Sequence, residues 1–582
     1  MERLLLYVHF NKFNDISEHV LYQLEKMRPL FSKVVFISNS PLTPNQVQEL
    51  KDDLVDEVLL RKNIGFDFAA LRDGMKLEGF EKLKAYDSIT FMNDTCFGPL
   101  WDLEPIYRRF EKDEQVDFWG MTNFRQTKDF SEHIQSYYLS FKKNVVNSTV
   151  FQDFWQQIQD YTNVQDVIEH YETQVTTNLT QAGFRYRTVF DTLQADDTGM
   201  LYPDFSYYNP TAILKHRVPF IKVKTIGASE GLTPYILEDI ERSTDYPVDL
   251  IVKHVSRIDL PDYPYLLSRK LMDLSLPISF SEKKIAIHLH VFYVDLLEEF
   301  LQAFQSFHFS YDLFITTDRD DKKAEIEKIL EHKQVDAQIF VTGNIGRDVL
   351  PMLKLKKYLS KYDYIGHFHT KKSKEADFWA GESWRKELID MLVRPADQIV
   401  SQLNQDDHLG IVIADIPSFF RFNRIVVAWN EALISPEMNK LWKRMNCQKE
   451  VNFKQMNTFV MSYGTFVWFK YDALSALFDL DLTDEDIPKE PLPQNSILHA
   501  IERLLVYIAW DKQYDFKISP NQLPITAFVD NKQLNNREDL QPHTFVDFNQ
   551  IGGIKGALKY IIIGPARAVK YILKRVLGKV KS

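Results

Sequence analysis

The sequence predicts an α/β protein made of two tandem domains with mostly parallel sheets, followed by a C-terminal amphipathic helix. Three observations predict it. Strand-like and helix-like segments alternate in the order that favours parallel pairing. Polar clusters stand directly after strands, where open parallel sheets bind ligands. The pattern also occurs twice: Asn63-Ile64-Gly65-Phe66-Asp67 returns as Asn344-Ile345-Gly346-Arg347-Asp348, and Tyr86-Asp87 returns as Tyr362-Asp363.

The first half opens with a strand at Leu4–Phe10, a helix around Ser17–Met27, a strand at Val34–Ser38, a helix at Pro44–Asp53 and a strand at Glu57–Leu60. Gly65 permits a tight turn, and Ala69-Ala70-Leu71 open a helix. The apolar run Ser88–Met92 reads as a buried strand ending on Asn93-Asp94-Thr95. Val116–Met121 and Tyr137–Phe141 read as strands, Phe151–Ile158 and Val167–Ala182 as helices, the latter stopped by Gly183. Asn209-Pro210-Thr211 starts a last helix, and Pro219–Val223 reads as a strand. Pro, Asp and Ser recur over 256–282, which predicts a linker between domains 1–255 and 283–547. The second half repeats the order: Ile285–Val291, Asp312–Thr317, a helix at Lys322–His332, and a strand ending on His367-Phe368-His369-Thr370-Lys371-Lys372. Leu409–Ala414, Gly464–Phe469 and the helix Ser496–Ala509 complete it, with insertions near 415–455. Counted from the Tyr-Asp pairs, His369 and Thr370 fall where Asn93 and Asp94 fall.

The net charge is −11, but residues 551–582 hold six Lys and two Arg with no acid, which leaves −19 on the rest of the chain. An acidic body argues against nucleic acid as the main partner. In the tail (548–582), Val569, Ile572, Leu573 and Val576 share one helical face, and Arg567, Lys570 and Lys574 another. That pattern predicts a helix lying on an anionic membrane surface, against the alternative of packing on the acidic body. Two cysteines, Cys96 and Cys447, fit a reducing compartment. The start, MERLLLYVHF, reads as a first strand rather than a signal peptide, and no apolar run approaches the roughly 20 residues of a spanning helix.

The chemistry these clusters suit is displacement at a nucleotide sugar. Departure of the nucleotide leaves a diphosphate whose charge needs a cation or basic side chains. Asn93, Asp94 and Thr95 supply one carboxylate, an amide and a hydroxyl, a set that would hold Mg2+ or Mn2+ through Asp94 when phosphate oxygens complete the shell. A capped turn is the plainer use of the same residues. In the second half His367, His369, Lys371, Lys372, Arg347 and Arg385 offer direct neutralisation without a metal. Two histidines at i, i+2 raise zinc, but no third ligand is evident. The attacking hydroxyl needs a general base: Glu172, with Glu169 as runner-up, in the first half and Glu502 in the second, an ion pair with Arg503 being its structural use. Asn63, Gly65, Asp67, Asn344, Gly346 and Asp348 suit nucleotide or sugar binding. No carboxylate pair stands on adjacent strand ends, which argues against a glycoside hydrolase.

In their combination, NIGFDFAAL, YDSITFMNDTCFGPL, HIQSY, NIGRDVLP, HFHTKKS, SWR, GTFVWF and HAIER make the chain resemble the rhamnan synthesis protein F family over about 1–545, and its halves resemble GT-A-like (Rossmann-like) glycosyltransferase domains. The resemblance implies inverting transfer of rhamnose from dTDP-L-rhamnose to a polyprenyl-diphosphate-linked glycan at the cytoplasmic face of a bacterial membrane. A non-catalytic assembly protein that binds the lipid-linked glycan is the competing expectation. No Asp-x-Asp occurs at the expected place in either half.

Overall fold

A computed structural model describes residues 1–521 apart from 199, 229, 230, 262, 281, 373–377, 419, 421–427, 457, 458 and 494, and beyond them 558, 559, 561–566, 569 and 573. Residues 1–521 form one compact unit and 522–582 a second.

In the first half β1 (Arg3–His9), β2 (Lys33–Ser38), β3 (Glu57–Leu60) and β4 (Ser88–Asn93) pair in parallel, in the order β3-β2-β1-β4. All seven residues of β1 are buried, as expected for a strand covered on both faces. Next come β5 (Cys96–Phe97), β6 (Phe118–Phe124), β7 (His133–Ile134), β8 (Tyr138–Lys142), β9 (Tyr186–Phe190) and β10 (Ile221–Lys222). β8 lies antiparallel between β4 and β6, β9 runs parallel to β6, and β10 pairs with β5.

The second half follows the same path. β11 (Ile285–His290), β12 (Asp312–Thr317), β13 (Gln338–Val341) and β14 (Tyr364–His369) stand in the parallel order β13-β12-β11-β14. β15 (Leu409–Ala414), β16 (Val467–Lys470) and β17 (Asp515–Ser519) extend it, with β16 antiparallel between β14 and β15, and β17 parallel to β15. The predicted α/β class with mostly parallel sheets is therefore what the chain adopts, and its two sheets share one topology.

Register makes the repeat exact to the residue. Leu6 pairs with Phe91 and Phe91 with Leu139; His288 pairs with His367 and His367 with Val467. His367 thus stands where Phe91 stands, His369 where Asn93 stands, and Gly464 where Ser136 stands. Alternate residues of each strand feed separate apolar layers: Leu4, Leu6 and Val8 on one face of β1, Leu5 and Tyr7 on the other.

Several elements differ from the sequence reading. The predicted helix Val167–Ala182 is three pieces: Val164–Val167, a π-helical turn Ile168–Glu172, and Thr173–Gln181. The helix at Pro210–Lys215 is not the last of its half; Val223–Ala228, Thr233–Ser243 and Val248–Ile258 follow, and the latter two pack with Phe97 and Leu100 into a core of their own. The stretch 256–282 is anchored: Leu271 bridges Ile518, and the buried Lys270 pairs with Asp515 at 2.6 Å. In the tail, the described residues are helical and Leu558, Ile561, Ile562, Val569 and Leu573 are exposed. Ile572, Val576, Arg567, Lys570 and Lys574 lie outside the described residues. No helix among the described residues is long and apolar enough to cross a membrane.

Candidate functional site

Each half carries a cradle at the carboxyl ends of its parallel strands. In the first, the chain leaves β3 through Asn63 and Ile64 into Gly65 at φ 69° and Phe66 at φ 51°, then enters the helix Phe66–Glu78. A Cβ on Gly65 would lie 2.5 Å from the Ala69 Cβ, so glycine is required both by space and by backbone. Arg61 pins the turn by donating to Asn39 Oδ1 (2.6 Å) and to the Ile64 carbonyl (2.7 Å), a role the sequence did not signal. The turn sets Asp67 in the first helical turn, where its Oδ1 accepts from the Phe68 N–H at 3.0 Å and its Oδ2 from Asn93 Nδ2 at 3.3 Å. Asn93 is the last residue of β4, and its Oδ1 accepts from the Thr95 hydroxyl at 2.6 Å. Asp94 follows; its Oδ2 accepts from the Phe10 N–H at 2.9 Å and lies 4.0 Å from His9 Nε2. Glu172, at the end of the π-helical turn, accepts from the Ser136 hydroxyl at 2.7 Å and the Ser136 N–H at 3.3 Å.

The second cradle repeats this frame. Gly346 stands at φ 83° and Arg347 at φ 52°, and a Cβ on Gly346 would lie 2.2 Å from the Leu350 Cβ. Asn344 leads into the turn, and Asp348 precedes the helix Val349–Lys354. Asp348 Oδ2 accepts from His367 Nε2 at 3.2 Å and from the Thr465 hydroxyl, and lies 3.8 Å from His369 Nε2. Glu502 accepts from the Gly464 N–H at 2.7 Å. Gly464 and Ser136 are register equivalents, so Glu172 and Glu502 hold the same backbone position in the two halves. Glu502 also lies 3.5 Å from Arg503, its expected ion-pair partner.

The electrostatics of the two cradles are opposite. In the first, burial pushes the Asp67 carboxyl up to about 6, with the Glu172 charge adding to it. Burial pushes Asp94 up to about 7, which the Phe10 N–H opposes and the Asp67 charge reinforces. In the second, burial would raise Asp348, but His369, His367 and the Thr465 hydroxyl hold it well below the usual carboxylate range. Burial lowers Lys371 to about 8 against the pull of Glu502 and Asp348, and its Nζ lies 3.3 Å from the Trp384 ring centroid. The other expected cations are paired already: Arg347 with Glu490 at 3.0 Å, Arg385 with Glu299 at 2.8 Å, and Lys372 with Asp295.

Among the described residues no three of His, Cys, Asp and Glu are grouped to hold a metal ion. A cation at Asp94 would take one oxygen from this chain and draw the others from a bound phosphate. A cavity of about 650 Å³ is lined by residues such as Trp101, Phe190, His216 and Tyr235 and by none of the cradle residues.

The family model described as rhamnan synthesis protein F matches residues 34–514. The uncharacterized protein WxcX of Xanthomonas campestris pv. campestris (strain B100) is 26% identical over 230 residues, 37% of this chain and 30% of that one. The uncharacterized protein y4gN of Sinorhizobium fredii is 28% identical over 177 residues, 30% of this chain and 45% of that one. The chain thus spans less than half the length of these relatives. Among solved structures, the apo-form glycosyltransferase GlyE of Streptococcus pneumoniae TIGR4 is 11% identical, with 64% of this chain and 87% of that one covered at a TM-score of 0.24.

The raised Asp94 pKa has a consequence for stability. An acid whose pKa is about 7 when folded, against about 3.9 when unfolded, binds more protons folded, so stability falls as pH rises between those values. Asp94→Asn removes the charge and keeps an acceptor for the Phe10 N–H. The variant is expected to melt above the parent at pH 8, with the gap closing below about pH 4; differential scanning calorimetry across pH measures it. A variant that melts below the parent at pH 8 would show that Asp94 is not held as a strained carboxylate.

Proposed function

The chain belongs to the rhamnan synthesis protein F family, and from that membership we propose that it is a glycosyltransferase that moves L-rhamnose from dTDP-L-rhamnose to a lipid-linked rhamnan chain. The observation that carries the reading is the duplicated cradle: Asp67 and Asp348 at equivalent helix starts, with Glu172 and Glu502 on equivalent backbone N–H groups. Family membership supports the glycosyltransferase class; the donor, the acceptor and inversion rest on the reading itself.

In this mechanism the acceptor hydroxyl attacks the anomeric carbon from the face opposite the diphosphate. The carbon–oxygen bond to the diphosphate breaks as the new glycosidic bond forms. The hydroxyl proton passes to a carboxylate, Glu172 in the first half and Glu502 in the second. The turn residues Asn63, Gly65, Asp67, Asn344, Gly346 and Asp348 shape the donor pocket. Mg2+ or Mn2+ at Asp94 would supply charge to the departing diphosphate in the first half. In the second, Lys371 supplies a positive charge from the chain itself.

Glu172→Gln and Glu502→Gln keep the size of each side chain and remove the base. With dTDP-rhamnose and a lipid-linked primer, each is expected to lower kcat for its half's linkage by about 10²–10⁴-fold. If both variants turn over at the parent rate, the base assignments fail, and absence of rhamnose incorporation by the parent protein removes the activity itself.

We also assign the tail to an anionic membrane surface at the cytoplasmic face, supported by its eight cations and by the exposed Ile561, Ile562, Val569 and Leu573. Deleting 551–582 is expected to move the protein from sedimented vesicles containing anionic lipid to the supernatant, while a soluble primer is still used. Sedimentation equal to that of the full chain would count against the assignment.

A further inference from the structure

The second half contains a buried polar chain that the first half lacks. His290 Nδ1 and His288 Nε2 each lie 2.9 Å from the Thr316 hydroxyl. His288 Nδ1 lies 2.8 Å from His367 Nδ1, and His367 Nε2 lies 3.2 Å from Asp348 Oδ2. The four linking residues are at most 5% exposed. Their register equivalents in the first half are Val8 for His290, Ile37 for Thr316, Leu6 for His288 and Phe91 for His367. All four of those are buried members of one apolar layer. The same sheet therefore folds with hydrocarbon at these positions. A hydrogen-bonded network in place of hydrocarbon adds little or nothing to stability, so stability alone does not account for it.

The chain has one self-consistent direction. An ionised carboxylate only accepts, so His367 Nε2–H donates to Asp348. A neutral His367 then has a bare Nδ1, which accepts from His288 Nδ1–H. His288 Nε2, bare in turn, accepts from the Thr316 hydroxyl, and Thr316 accepts from His290 Nδ1–H. One proton taken up at His290 Nε2 reverses every bond. The His290 Nδ1 proton passes to Thr316, the Thr316 proton to His288 Nε2, and the His288 Nδ1 proton to His367 Nδ1. His367 ends as an imidazolium against the Asp348 carboxylate, and the other three groups end neutral with reversed orientation.

We propose that His290, Thr316, His288 and His367 form a proton relay between the outer end of β11 and the Asp348 carboxylate in the second cradle. Resting on the glycosyltransferase reading, its use is to set the charge of the His367–Asp348 pair beneath the donor pocket, which the apolar residues at the same four positions of the first half cannot do. These four are positioning residues, since they act through Asp348, which borders the cradle. Burial keeps His288 and His290 uncharged, as the neutral direction requires. The charged groups facing the chain are His369 on β14, Asp318 at the end of β12 with its partner Lys322, and Arg347, Lys371 and Glu502 around Asp348.

Nitrogen NMR of the full chain labelled with ¹⁵N-histidine tests this without any donor or acceptor sugar, so its outcome is independent of the proposed activity. Above the transition, His367 is expected as the Nε2–H tautomer and His288 and His290 as Nδ1–H. As pH falls, His367 becomes an imidazolium while His288 and His290 switch to Nε2–H without charging, all three at one shared midpoint. In His288→Leu, which installs the first-half residue, His290 loses its switch and His367 titrates alone. The relay is overturned by independent midpoints, by charging of His288 or His290 in the transition, by no transition while the fold persists, or by a His290 switch that survives in His288→Leu. Should His288→Leu not fold, the parent titration decides alone.

Discussion

A left-handed glycine at the end of the third parallel strand fixes where the chemistry of each half stands. Gly65 and Gly346 occupy φ values that side chains avoid, and each lies too close to the next helical turn for a Cβ. The turn they allow is short enough to start a helix directly against the neighbouring strand ends. An aspartate two residues later then falls in or beside the first helical turn. From that point the rest follows: the end of β4 or β14 supplies a polar partner, and the strand entering β8 or β16 offers a backbone N–H to a glutamate.

Given a common frame, the two cradles diverge through the side chains placed at equivalent positions. Burial raises the Asp67 and Asp94 carboxyls, and the Glu172 charge on Asp67 and the Asp67 charge on Asp94 add to it. Placing His367 and His369 around Asp348 does the reverse. A buried acidic group is satisfied by a cation, and a buried basic one by an anion. The two cradles thus differ in the sign of the charge that would satisfy them. The interior follows suit, since the layer beneath the second cradle is hydrogen-bonded where the layer beneath the first is hydrocarbon.

Much of this was legible in the sequence because its signals are local. Asn-Ile-Gly-x-Asp is a turn motif, and the Tyr-Asp pairs fix the count along the next strand, so the equivalence of His369 with Asn93 followed from spacing. Glu172 and Glu502 stand out as acids on segments of helical period that occupy corresponding places in the two halves. What was not legible depends on register between strands. His288 and His290 sit in a run, IAIHLHV, whose alternation reads as an ordinary buried strand; only pairing with β12 and β14 joins them to Thr316 and His367. Arg61 and Ser136 gain their roles from residues outside the local segment. The π-helical turn at Ile168–Glu172 escaped because a one-residue widening hardly alters a helical period.

The central claim is that one chain holds the same nucleotide-sugar cradle twice, with opposite electrostatic demands. Calorimetric titration of dTDP into the full chain, with Mg2+ present and then with a chelator, tests it most directly. The account predicts two binding events in the presence of the cation and loss of one of them on chelation, the survivor being the event that weakens in Lys371→Met. Two events that respond alike to the chelator, or no affinity for dTDP under either condition, would contradict it.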